Sequence, residues 1–101
     1  MAGVVLDLNN PVFQDDWFAL EREEAQAVMA TLRKVRQLDW ERLYRDKGLR
    51  WELIQSRTGP GGQRVYSLRV TRRMRAVGYR DGNSLRLVAL HPEHDSTYRV
   101  Q

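Results

Sequence analysis

The sequence has no cysteine, which excludes a disulfide framework, a thiolate metal site and a cysteine nucleophile. It has only two histidines, His91 and His94, and the two acids near them, Glu93 and Asp95, do not amount to a carboxylate cluster. That set is too thin for a metal centre, so no metal and no cofactor are expected. No apolar run approaches the roughly 18 residues needed to span a bilayer. Met1 to Leu6 lacks a basic n-region, so a signal peptide is not expected either. Together these absences lead us to expect a cytoplasmic protein without a membrane partner. Gly59-Pro60-Gly61-Gly62 has no following Lys-Ser/Thr and no helix, which excludes a P-loop. No serine sits in a nucleophile elbow.

Acid is also missing from one place. From Arg64 to Arg80 there are six arginines (Arg64, Arg69, Arg72, Arg73, Arg75 and Arg80) and no Asp or Glu. The net charge of +4 is therefore uneven: residues 1–48 sum to −2 and residues 49–101 to +6. Fifteen of the seventeen basic residues are arginine, whose planar, permanently charged fork matches phosphate oxygens. A basic second half beside a near-neutral first half fits a scaffold that carries a polyanion-binding face.

A length of 101 residues fits one domain, residues 1–101, large enough to bury a core without staples. Val4 to Leu8 reads as a strand. Asn10 and Pro11 then form an N-cap and first helical position, with Phe13, Trp17 and Leu20 as an apolar stripe. Ala25, Val28, Met29, Leu32 and Val35 mark a second helical pattern, either a hairpin partner of the first or its bent continuation. Asp39 caps a short helix through Trp40, Leu43 and Tyr44, with Gly48 as its stop. Four strands follow this reading: 50–55, 64–70, 74–80 and 85–90. Asp81-Gly82-Asn83 is a strong hairpin signal. Helices early and strands late define an α+β pattern. Leu68, Val70, Val77, Val88 and Leu90 are expected on the helix-covered face, leaving a free face for a substrate. From His91 onward the sequence reads as a polar tail.

Tyr66-Ser67-Leu68-Arg69-Val70, Met74-Arg75-Ala76-Val77, Leu85–Leu90 and a tail closing on Tyr98 resemble the RelE/ParE toxin superfamily, over residues 4–98. The resemblance implies N-terminal helices packed on a curved, mostly antiparallel sheet. Its RelE-like branch implies a toxin that cleaves mRNA on the ribosome and is held by an antitoxin. Arg69 and Arg75 match that branch's strand arginines and Tyr98 its C-terminal tyrosine. His91 or His94 stands in for a basic residue ahead of that tyrosine, and Ser67 departs from the pattern where a basic residue is usual.

The chemistry implied is a metal-free transesterification, in which the 2′-hydroxyl attacks its own 3′-phosphate. It needs a base, an acid and fixed charge on the phosphoryl oxygens. Arg69 and Arg75 suit the charge role, His91 and His94 proton transfer, and Tyr98 stacking or proton transfer. Arg64, Arg72, Arg73 and Arg80 are candidates for RNA contact. Two other readings stand beside this one: a ParE-like inhibitor of gyrase without nuclease chemistry, and a family member that only binds RNA or protein. On a plain structural reading Arg75 pairs with Asp81 or Glu52 on the sheet surface.

Overall fold

The computed structural model describes residues 3–92. Its elements run β1 (Val5–Asp7), α1 (Pro11–Phe18), α2 (Arg22–Arg36), α3 (Trp40–Arg45), β2 (Glu52–Thr58), β3 (Arg64–Thr71), β4 (Met74–Asp81) and β5 (Ser84–Pro92). The strands form one open sheet in the order β1-β5-β4-β3-β2. β1 is parallel to β5, and every other neighbouring pair is antiparallel. The fold is α+β, as the sequence implied.

Local chemistry accounts for the helix boundaries. Asn10 Oδ1 accepts from the Val12 N–H at 2.7 Å and the Phe13 N–H at 3.4 Å, and Pro11 fills the first helical position. α1 ends at Ala19, whose N–H donates to the Asp15 carbonyl, so α1 and α2 are separate helices. α2 carries Glu23 and Glu24 in its first turn and Arg33, Lys34 and Arg36 in its last, aligned with the helix dipole. Asp39 caps α3 by accepting from the Arg42 N–H at 2.9 Å.

The exit from α3 differs from expectation, because Asp46 closes the turn in place of Gly48. Its Oδ1 accepts from the Leu49 N–H at 2.9 Å and from Lys34 Nζ at 3.1 Å. Burial works to raise the Asp46 carboxyl, but these donors and the Gly48 N–H outweigh it and hold the group below its ordinary value.

One face of the sheet receives the helices. Phe13, Val28, Leu32, Val35, Trp40 and Leu43 pack there on Leu68, Met74, Ala76, Leu85, Leu87 and Leu90. Val70 joins this cluster, so three of the five residues expected on the covered face lie there. Val77 and Val88 do not. They pack with Val65 and Ala89 in a second cluster, edged by Ile54 and Tyr79, which contains no helix residue. The register explains the difference. Val77 sits opposite Ser67 and Ala89, one residue out of phase with the Leu68–Ala76–Leu90 row. Between Val77 and Gly78 the β4–β5 register shifts, which brings the Arg86 backbone within 2.6 Å of where a side chain on Gly78 would begin.

β5 also runs further than expected. His91 and Pro92 are strand residues paired with Arg75 and Met74, not the start of a tail. α1 lies along this end of β5, where Asp16 Oδ2 accepts from the Leu90 N–H at 2.9 Å.

Candidate nucleic-acid interface

Strand pairing brings together three residues that are distant in sequence. Arg69 of β3 lies opposite Arg75 of β4, and Arg75 lies opposite His91 of β5. Cross-strand partners project to the same side of a sheet. The three therefore form one row on the face without helices, at the end of the apolar cluster around Val77. The other singled-out residues divide into three groups. Arg72 and Arg73 are exposed in the turn between β3 and β4, beside this row. Arg64 and Arg80 fall on the opposite, helix-bearing side by strand alternation, since Tyr66 and Gly78 share a register pair there. His94 and Tyr98 lie outside the described residues.

Arg75 is held in place before any ligand arrives. Its Nε donates to Ser67 Oγ at 2.9 Å and its Nη2 to the Arg50 carbonyl at 2.9 Å. Glu52 Oε1 lies 3.6 Å from the same Nη2. Of the two acidic partners that sequence allowed, Glu52 is the one found, and its second oxygen meets Arg50 Nη2 at 3.2 Å. Ser67, the departure from the family pattern, is thus a buried acceptor for the guanidinium. Arg50 has a φ of 51°, in the left-handed region that non-glycine residues rarely occupy, and its carbonyl completes the socket.

Arg69 is half-buried, and its Nε is sealed from solvent without a hydrogen-bond partner among the described residues. A buried guanidinium donor left unpaired costs free energy, which makes it a site of interest. Its backbone N–H donates to the Leu49 carbonyl at 2.6 Å, which ties β3 to the α3–β2 connection.

At the far end of the row, His91 Nε2 lies 2.6 Å from Arg57 Nη1. Arginine only donates, so Nε2 is the acceptor and the proton of the neutral ring sits on Nδ1. Partial desolvation, followed by the Arg57 charge, lowers the His91 pKa from 6.5, against an opposing pull from Asp16. At neutral pH the ring is therefore an uncharged base whose lone pair faces a guanidinium.

Arg57, Arg50 and Asp16 were not singled out from the sequence, whereas Glu52 was, as a partner for Arg75. Arg57 lies past Gln55, where the strand was expected to stop, in residues that the sequence assigned to no element. The strand continues through an irregularity between Leu53 and Thr58 that carries Arg57 toward β5. Asp16 lies on α1, and only the packing of that helix beside β5 brings it near His91. Among the described residues, no three His, Asp or Glu side chains gather as a metal site.

No protein-family model and no curated protein matches the sequence. A solved structure does: the copper-bound form of a mutant toxin from Helicobacter pylori aligns with a TM-score of 0.52 at 17% identity. The alignment covers 94% of this chain and 99% of that one. At this identity the likeness establishes a shared fold. Among the described residues no helix is long and apolar enough to cross a membrane.

Proposed function

We propose that this chain is a RelE-like toxin of the RelE/ParE superfamily, a metal-independent endoribonuclease that inhibits translation by cutting mRNA at the ribosome. The single observation that carries the reading is the row Arg69–Arg75–His91 across three adjacent strands on the helix-free face. The fold shared with a protein described as a toxin supports the wider class.

In this reading the scissile phosphate lies along the row. Arg75, braced by Ser67 and the Arg50 carbonyl, and Arg69, with its unpaired Nε, neutralise charge growing on the phosphoryl oxygens. A phosphate competes with His91 for Arg57. When it draws Arg57 away, Nε2 is uncovered and its basicity rises, so the base is released where the substrate has docked. Arg72 and Arg73 in the adjacent turn hold flanking phosphates. His94 and Tyr98 remain proposed participants for the acid and stacking roles. An antitoxin with an acidic segment is the partner suited to the basic half of the chain.

One observation favours a contact-only inhibitor of the ParE type, or a family member that only binds. Glu52 already pairs with Arg75, and a guanidinium shared with a carboxylate is a weaker catalyst for phosphate. Induction of the chain in cells separates the readings, with mRNA 5′ ends mapped and plasmid supercoiling measured in the same culture. New mRNA ends with unchanged supercoiling are expected. Intact mRNA with relaxed plasmid or gyrase-linked DNA breaks would assign the chain to the ParE-like class.

A further inference from the structure

The helix-bearing face is left open at its β2–β3 end, and aromatic side chains collect there. Trp51 and Tyr66 stack at 4.8 Å between ring centres, with 11° between their planes. Trp40 meets Trp51 edge-on at 5.5 Å, and Tyr44 of α3 lies 6.2 Å from Trp51. Trp40 is buried and belongs to the core. Tyr44 is 47% exposed, and Trp51 and Tyr66 are half-buried, so much of this aromatic surface faces water.

Beside these rings is a cleft of about 340 Å³ lined by Tyr44, Trp51, Gln63, Arg64, Tyr66 and Arg80. That volume suits a small ligand. Arg80 is fixed at its wall. Its Nε donates to the Gly82 carbonyl at 2.7 Å and its Nη1 to the Tyr44 hydroxyl at 2.9 Å, and its guanidinium lies 4.7 Å from the Trp40 ring centre. Arg64 is exposed and has no hydrogen-bond or ion-pair partner among the described residues. Two guanidiniums meet here and no carboxylate lines the cleft. An anion is the complementary charge, and a flat π-system is the complementary shape.

We infer that this cleft binds a nucleotide. Its base lies against the Trp51–Tyr66 stack, its phosphate is held by Arg64 with Arg80 contributing charge, and the Gln63 amide meets the base edge. The site is on the opposite face of the sheet from Arg69, Arg75 and His91, and it does not depend on the chemistry proposed there. The same chemistry is presented by a free nucleoside monophosphate and by one nucleotide of a single RNA strand.

The test follows tryptophan fluorescence of the full chain on titration with AMP, adenosine, inorganic phosphate and a six-residue oligoadenylate. Arg64→Gln, Gln63→Ala and Arg69→Ala variants are titrated alongside. Arg64 is exposed and has no partner among the described residues, so its substitution should leave the fold intact. Saturable quenching by AMP is expected, at least tenfold weaker for adenosine or phosphate alone. Arg64→Gln should weaken it at least tenfold, Gln63→Ala less, and Arg69→Ala not at all. Oligoadenylate binding tenfold or more tighter than AMP, through the same residues, identifies an RNA strand as the source. Equal or weaker binding identifies the free nucleotide. Three results would overturn the inference: no saturable quenching by either ligand, affinity for phosphate equal to that for AMP, or binding that survives Arg64→Gln but is lost in Arg69→Ala.

Discussion

Arg57 Nη1 lies 2.6 Å from His91 Nε2, so a guanidinium from the edge strand β2 covers the lone pair of the one described histidine. Desolvation and Arg57 lower the His91 pKa, so the folded chain binds that proton more weakly than the unfolded chain. The group then favours the fold above pH 6.5, and this contribution is lost as pH falls through the lowered folded value. NMR titration in a His94→Gln background, which isolates the His91 resonance, should give a midpoint below 6.5. Arg57→Gln should raise it, and Asp16→Asn should lower it further. A wild-type midpoint at or above the ordinary value would contradict the contact.

Glu52 restrains Arg75. The carboxylate is about half exposed and 3.6 Å from the guanidinium, so the pair is screened and modest. Releasing it should still matter for an anionic ligand. We expect Glu52→Gln to tighten binding of a single-stranded RNA by about two- to fivefold, the equivalent of an exposed pair worth up to about 1 kcal/mol. Filter binding at fixed salt measures this. Unchanged or weaker binding would mean that Arg75 does not meet the phosphate.

The φ of 51° at Arg50 makes a separate prediction about the Arg75 socket. Both Arg50→Gly and Arg50→Val remove the pair with Glu52, so their difference reports the backbone. Glycine accepts this conformation and valine resists it. Arg50→Val should be less stable than Arg50→Gly by about 1–3 kcal/mol in urea unfolding. Equal stability would argue against the left-handed turn that aims the Arg50 carbonyl at Arg75.

The element order and the helix caps were legible because they are written in local chemistry. Asn10-Pro11, Asp39 and the Asp81-Gly82-Asn83 turn each act over a few residues. The α+β class followed from that order. Face assignment was less legible. Val77 and Val88 look like helix-facing positions in the sequence, but strand register gives them a cluster of their own. The same register unites Arg69, Arg75 and His91, which the sequence shows only as two arginines in separate strands and a histidine at the head of a polar tail. Arg80 was read from the sequence as a candidate for RNA contact beside Arg75. Strand parity sends it to the other face, where Trp40 and Tyr44 hold it. Arg57 was hidden because an irregular strand has no clean two-residue period, and Asp16 because helix docking has no sequence signature.

The Arg69–Arg75–His91 row is proposed to act on an RNA phosphodiester. The most direct measurement is cleavage of ribosome-bound mRNA by the purified chain, with the product ends identified. Arg69→Ala, Arg75→Ala and Arg33→Ala variants are compared, each first checked for its fold by circular dichroism. Fragments ending in a 2′,3′-cyclic phosphate are expected. Rates about 10²–10³-fold lower are expected for Arg69→Ala and Arg75→Ala, the usual loss for a donor to a developing oxyanion. Arg33→Ala, on the far side of α2, should cleave as the parent does. Fragments ending in 3′-hydroxyl, or equal rates for all three variants, would contradict that role of the row.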